Sequence, residues 1–372
     1  MPLSDHYSRF RVTARTLLTG HSHQAWPDIA FIAQQRAWLD AAEFVDDKWA
    51  RADAQAHLVK EGFARLLGDE ARNIALGQNT HELIARWLSA LLLRERRRII
   101  TTDAEFHSIR RLVDRLAEEG FDVVTIPAAP IADVAARMAA AVDDRAACVL
   151  ISSVLFETAE IVPDVALVAR TCRRHGAALL VDAYHHLNVV PFDLHAMDLA
   201  DAYVTGGGYK YCQLGEGNCF LRVPPGTHLH PLLTGWFAKD DGTEADAFAG
   251  ATYDPTSHYR GAAVFAFHQE QQLTADRLRA INVGQVARLE QAIDALDLDP
   301  AVAAIHRVAP ERRGGFLAIR SPRAERLVTA LRDRGVFADA RGGMLRLGPA
   351  PYVSDDQLRD AAVALGDCVR AR

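Results

Sequence analysis

Residues 178–218 read ALLVDAYHHLNVVPFDLHAMDLADAYVTGGGYKYCQLGEGN. Two short apolar runs, ALLVD (178–182) and DAYVT (201–205), each lead to a residue with chemistry of its own. The first stops at Asp182. The second opens into a loop in which five glycines surround Lys210, with Tyr209 and Tyr211 on either side of it. Compact runs of Val, Leu and aromatic residues read as strands buried on both faces, the signature of a parallel sheet covered by helices. Sheets of that kind hold ligands at the carboxyl ends of their strands. Asp182 and Lys210 both fall there, one strand–helix–strand step apart.

The same alternation continues outward. RRIITT (97–102), DVVTI (122–126), ACVLISS (147–153) and NCFLRV (218–223) are further strand-like runs. Between them DAEFHSIRRLVDRLAEEG (103–120) places Ile109, Leu112, Val113 and Leu116 at helical spacing and ends at Gly120. IADVAARMAAAV (131–142) and VPDVALVARTCRRHG (162–176) repeat the pattern. This predicts an α/β domain with a mainly parallel sheet. The tail differs. GGFLAIRS (314–321) reads as a strand, PRAERLVTALRDRG (322–335) as a helix, and VFADARGGMLRLG (336–348) as a hairpin turning at Gly342-Gly343. A last helix opens at Ser354. The expected organisation is an N-terminal arm with helices over 1–60, a large α/β domain over 61–285 and a small C-terminal α+β domain over 286–372. The main irregular stretches are 223–231 and 238–261.

Bulk composition narrows the function. With 372 residues, 49% hydrophobic and 24% charged, the chain can bury a large core, and a net charge of −6 gives no electrostatic footprint for nucleic acid. No apolar stretch reaches the roughly 18 residues of a membrane span. The first residues lack the apolar core of a signal peptide, and the five cysteines are scattered with no CxxC pair, so a reduced cytoplasm is the expected compartment. HSH (21–23) and YHH (184–186) have no cysteine or carboxylate cluster beside them, so no metal centre is expected.

Only four of the 42 basic residues are lysines: Lys48, Lys60, Lys210 and Lys239. A reaction that needs an amine able to lose its proton or form an imine must use one of these, since arginine cannot. A lysine and an aspartate at neighbouring strand ends have one well-known joint use. The lysine carries pyridoxal 5'-phosphate as an imine and the aspartate pairs with the pyridine nitrogen, which keeps the ring an electron sink. Asn79 and Thr80, in GQNTHELIARWL (77–88), stand where a turn meets a helix, a place suited to a phosphate. Taken alone, the stretch is better explained by plain helix capping.

VDAYHH (181–186), GGGYKYCQLGEGN (206–218), TGWFAK (234–239) and MLRLGPAPYVS (344–354), together with LLTGHSHQAWPD (17–28), resemble the kynureninases, within the class-V branch of fold-type-I pyridoxal phosphate enzymes. The resemblance covers most of the chain. It implies a fold-type-I large domain with a small C-terminal domain, and a hydrolase that cleaves a kynurenine-like amino acid to an aromatic acid and alanine. It makes Lys210 the Schiff-base lysine, Asp182 the partner of the pyridine nitrogen and His185 a neighbour of the cofactor. Thr80 and Tyr209 would contact the phosphate with Asn79 beside them, and Phe106 would stack on the ring. Trp236 and Thr252 would complete the phosphate side, from the second subunit of a homodimer that shares its active sites. Arg346 would clamp the substrate α-carboxylate. Tyr209, His185 and residues 253–261 are candidates for stabilising a developing oxyanion. The sequence departs from the family at GEGN (215–218), where a Gly-Pro pair is usual, and at GHSHQAWP (20–27). The same cofactor machinery also serves aminotransferases, β-lyases and epimerases. A sulfur-transfer enzyme needs a cysteine on a separate mobile loop, which the sequence does not reveal.

Overall fold

The computed structural model describes residues 2–91, 93–239 and 242–371. A two-residue strand, β1 (Thr16–Leu17), is followed by two helices, α1 (Ile29–Phe44) and α2 (Lys48–Leu67). The next strands are β2 (Ile74–Gly77), β3 (Arg98–Thr102), β4 (Asp122–Ile126), β5 (Ala146–Ser152), β6 (Ala178–Asp182), β7 (Tyr203–Gly207) and β8 (Cys219–Arg222). They form one seven-stranded sheet in the order β2-β8-β7-β6-β5-β3-β4. β3 to β7 pair in parallel, while β8 runs antiparallel to both β7 and β2. Four helices, α3 (Thr80–Ala90), α4 (His107–Glu118), α5 (Val134–Ala141) and α6 (Val165–His175), cover the two faces.

The uniform apolarity of the strands follows from these two covers. Cys148 and Leu150 of β5 and Leu180 of β6 point to a core shared with Trp87 of α3 and Val113 of α4. Val149, Ile151 and Val181 point the other way, to a core shared with Phe63 of α2, Met138 of α5 and Val168 of α6. A strand with a core on each side has no solvent face and therefore no polar alternation. β2 escapes a reading of the sequence because it is four residues long and runs directly into the turn before α3.

The stretch 238–261, expected to be irregular, contains the start of a helix, α7 (Thr256–Glu270). Its polar residues Ser257, His258 and Arg260 are buried because they bind backbone and side-chain groups of the lysine loop. With Ala262, Val264 and Phe265 in the core and these polar residues buried against the loop, the helix is covered on most sides and gives no apolar stripe to read.

Then follow α8 (Ala275–Asp294), β9 (Ala304–Ile305), β10 (Leu317–Arg320), α9 (Ala324–Arg332), β11 (Val336–Phe337), β12 (Asp339–Arg341), β13 (Met344–Leu347) and α10 (Asp355–Arg370). The antiparallel sheet β12-β13-β10-β9 packs with these helices. The β12–β13 turn has both glycines left-handed, Gly342 at φ 57° and Gly343 at φ 77°, as a two-residue hairpin turn requires. Ser354 and Gln357 form a reciprocal capping box at the start of α10.

The domain division differs from the one read off the sequence. Tyr7, Val12, Leu17, Leu18 and Ala25 lie in the same core as Leu289, Ile319, Leu345 and Leu365. β1 pairs in parallel with β11, and the Gln357 side chain donates to the Val12 and Arg15 carbonyls. The first 25 residues thus join the small domain, and α8 enters its core from Leu278 onward. Such an arm has no core of its own, so its partner can only be found by tertiary contact. Among the described residues no helix is long and apolar enough to cross a membrane.

Candidate active site

The parallel register sets the floor of the site. Ser152, Asp182 and Thr205 are consecutive neighbours across β5, β6 and β7, all at the carboxyl edge of the sheet. Asp182 is buried, and its Oδ1 accepts a hydrogen bond from the Tyr184 amide at 2.8 Å. Burial raises its carboxyl to about 6, although the amide bond and the Lys210 charge oppose the shift.

Lys210 stands just past β7 in a loop folded back on the sheet, with the Gly208 amide bonded to the Asn218 carbonyl at 2.7 Å. Gly207 has to be glycine: a Cβ there would lie 2.2 Å from the Tyr184 hydroxyl. Gly215 is left-handed at φ 68°, and a Cβ would strike Trp26 and the Arg260 Nε at 2.7 Å. Arg260 holds this turn by donating to the carbonyls of Leu214 (2.7 Å) and Glu216 (2.5 Å). The GEGN turn is thus braced from α7. The Lys210 Nζ lies among three rings, 4.8 Å from the centroid of Tyr184, 5.0 Å from Tyr209 and 5.7 Å from Phe106. Burial, and then the Arg346 charge, pull its amine down to about 7.

Lys210 and Asp182 line a cavity of about 420 Å³, within the range of cofactor sites. Gln78, Asn79, Thr80, Phe106, Phe156, His185 and Tyr209 line it too. Asn79 is the N-cap of α3, accepting from the Glu82 amide at 2.9 Å. Its side chain is thus committed to capping, while Thr80 opens the helix beside it. His185 is buried, and burial followed by the Lys210 charge keeps it neutral at physiological pH. Its Nδ1 has no protein partner. Tyr209 stacks on His23 with centroids 4.8 Å apart, and burial pushes its hydroxyl up to about 12.

Three of the residues named from the sequence stand elsewhere. Trp236 donates to the Thr252 hydroxyl at 3.0 Å, and this pair does not line the Lys210 cavity. Thr252 lines an adjoining cavity of about 570 Å³ that shares Gln78 with the first. Tyr253 and His258, from the 253–261 segment, also face that second cavity. Arg346 is buried at the edge of the site, donating to the Phe156 carbonyl at 2.5 Å. Its remaining bonds go to Asp339, so its fork is not open.

Other groups near the site were not singled out by sequence. Glu105 is wholly buried, accepting from Thr102 Oγ1 (2.7 Å), Ser152 N (3.1 Å) and Ser152 Oγ (2.5 Å), and burial raises its carboxyl to about 7. It sits directly before Phe106, which was its only visible signal. His21 and Asp339 bond to each other at 2.7 Å although they come from opposite ends of the chain.

The residues present fit pyridoxal phosphate. A buried amine of lowered basicity and a buried carboxyl at the neighbouring strand end line a single cavity. The start of α3 supplies amides for an anion, Phe106 offers a flat apolar face, and His185 lines the cavity with one ring nitrogen left without a partner, a group whose polarity a ligand or water would satisfy.

Comparison with known proteins agrees. The class-V aminotransferase family matches residues 45–297, and the kynureninase C-terminal domain matches residues 278–365. The uncharacterized aminotransferase YcbU of Bacillus subtilis is 22% identical over 87% of this chain and 86% of its own length. A kynureninase of Deinococcus radiodurans is 26% identical over 89% of this chain and 81% of its own. The fold is shared with C-DES, a cystine C–S lyase, in a form carrying glycine linked to its pyridoxal phosphate (TM-score 0.83, 16% identity, 99% of this chain and 100% of that one). The chain is a fold-type-I enzyme whose cofactor is pyridoxal 5'-phosphate, and it belongs to the class-V aminotransferase family, with a C-terminal domain of the kynureninase type.

Proposed function

We propose that the protein is a hydrolase that cleaves the side chain of a kynurenine-like amino acid, releasing an aromatic acid and alanine. The observation that carries this reading is the kynureninase-type C-terminal domain, whose β12–β13 hairpin brings Arg346 against Phe156 at the wall of an aromatic-lined cavity. Phe106, Phe156, Tyr184 and Tyr209 suit an aryl side chain. Pyridoxal phosphate, when bound, supplies an electron sink for charge developing at the substrate α-carbon. Lys210 would hold it, and Asp182 would keep its ring nitrogen protonated.

The chain's own groups then divide the work. The Lys210 amine, near 7, can both take and return the α-proton at neutral pH. When water adds to the side-chain ketone, negative charge develops on its oxygen. The neutral His185 ring and the Tyr209 hydroxyl are the donors at hand in the cavity. Sulfur transfer is the weaker reading. All five cysteines are buried, and burial pushes the Cys219 thiol, which lines the cavity, up to about 12, so no reactive thiolate stands near Lys210. The test is product analysis: aromatic acid and alanine from kynurenine or its ring-hydroxylated form, measured against pyruvate and keto acids from common amino acids. Keto acids or racemised amino acids with no aromatic acid would replace this reading with an aminotransferase or epimerase.

In this reading Arg346 is the site of the substrate carboxylate. Arg346→Lys keeps the charge and loses the planar fork. The expected result is a KM raised about tenfold or more, the loss of one charge-assisted hydrogen bond, with kcat also lowered and the cofactor spectrum unchanged.

Loading of the cofactor requires the neutral amine. With Lys210 near 7, the neutral fraction rises as pH climbs through that value. The rate at which cofactor-stripped protein takes up pyridoxal phosphate, followed by absorbance, should climb from pH 6 to 8 and then level off. A rate still rising towards pH 10 would show an amine of ordinary basicity.

The protein is expected to be a homodimer with shared sites. Trp236 is 67% exposed, Leu232 and Leu233 close to it in sequence are exposed too, and Trp236 does not line its own Lys210 cavity. From a second copy it could close the phosphate end of the site. Sedimentation at working concentration should give twice the chain mass, and a fully active monomer would overturn the assignment.

A further inference from the structure

The fork of Arg346 is filled by a carboxylate that the chain itself supplies. Asp339 and Arg346 are cross-strand partners in β12 and β13. Arg346 Nε donates to Asp339 Oδ1 at 2.9 Å, and Nη2 donates to Oδ2. That side of a guanidinium is the one matched to a carboxylate by two parallel bonds. His21 Nε2 donates to the same Oδ1 at 2.7 Å. Burial and the Arg346 charge bring His21 down to about 4, so it is neutral and makes this bond as a plain N–H donor. Against the effect of burial, His21 and Arg346 hold Asp339 well below the usual carboxylate range.

A cross-strand ion pair could serve the hairpin alone, but this one stands at the site. The charges of both Asp339 and Arg346 act on the Lys210 amine. The third Arg346 contact is the carbonyl of Phe156, whose residue lines the Lys210 cavity. His21 is fully buried with its other ring nitrogen unpartnered, and it gives Asp339 an anchor that does not depend on Arg346. An arriving α-carboxylate meets an arginine already neutralised, with a like charge beside it.

We propose that Asp339 is a specificity-determining residue, an internal carboxylate that competes with the substrate carboxylate for Arg346 and remains on His21 when the substrate displaces it. This rests on the reading of Arg346 as the substrate-carboxylate site. The consequence is a blunted preference for carboxylates. Ligands that lack a carboxylate do not have to displace Asp339, so the advantage an acid normally gains from a free arginine is largely cancelled.

The test uses the holoenzyme and two probes without an amine: benzoylpropionate, which carries an aryl ketone and a carboxylate, and its methyl ester. Calorimetry gives Kd for each. In the unmodified protein the acid should bind within about threefold of the ester, and a preference for the acid of about a hundredfold or more would overturn the proposal. Asp339→Asn, and Asp339→Ser as a second variant free of a competing amide, should tighten the acid about tenfold and leave the ester unchanged. Arg346→Lys should weaken the acid only. If both Asp339 variants leave the acid unchanged or weaker while Arg346→Lys weakens it, Asp339 merely positions the arginine; the proposal fails and the carboxylate site stands. If Arg346→Lys also has no effect, the carboxylate site itself lies elsewhere and the proposal falls with it.

Discussion

Lys210→Ala is expected to give a folded protein that has lost turnover by at least about 10⁴-fold, since nucleophile and general base disappear together. The side chain ends in a pocket of aromatic rings with a depressed basicity. Removing the amine takes a cation from beside the buried Asp182, but that carboxyl, already raised to about 6, can take up a proton, so the fold should survive. The remaining lysines offer no substitute. Lys60 is tied to Asp246 at 3.3 Å, Lys48 lies over the Trp49 ring, and neither Lys48, Lys60 nor Lys239 lines the Lys210 cavity. Borohydride reduction of the holoenzyme followed by peptide mapping should place the pyridoxyl label on the GGGYKY peptide of the unmodified protein and on no peptide of the variant. A label on Lys48, Lys60 or Lys239 would refute the assignment.

Asp182→Asn should bind the cofactor and lose about a hundredfold or more in rate, the equivalent of roughly 3 kcal/mol at the transition state. The amide is the same shape, and the backbone bond from Tyr184 can still be accepted by its oxygen. What it lacks is the negative charge that keeps a proton on the ring nitrogen. Cofactor content and the circular dichroism of the fold should therefore match the parent, while the rate falls. Near-normal turnover would mean that another group faces the ring. Glu105, buried on Ser152, and Glu216, which lines the cavity, are the alternative carboxyls to examine.

Sequence made the large domain legible because burial on both faces leaves a strong signal. A strand that feeds Leu150 to one core and Ile151 to the other cannot hide among polar residues. Asp182 and Lys210 were legible because strand ends are where an α/β sheet presents its chemistry, and because lysine is so scarce in this chain. The rest depended on distance. His21 and Asp339 meet only because β1 reaches β11, a pairing with no local signature. The start of α7 was opaque since its polar face is spent on Leu214, Glu216, Gly217 and Asn218. The state of Arg346 was equally hidden. Its position in MLRLGP suggested a carboxylate partner, and nothing in the sequence said that the hairpin carries one.

The sharing of one core by residues 7–25 and the elements from α8 to α10 also bears on how the protein is made. Tyr7 and Leu18 leave the ribosome long before Leu345 and Leu365, with which they share a core. The central sheet has all its strands by Arg222 and can assemble while synthesis continues. The smaller domain cannot, because contacts between distant parts of a chain form slowly and only once both parts exist. Its opening segment must wait with apolar side chains uncovered until α10 emerges. A nascent chain stalled before α10 would thus display an uncovered apolar segment, the condition under which a newborn protein most needs a chaperone.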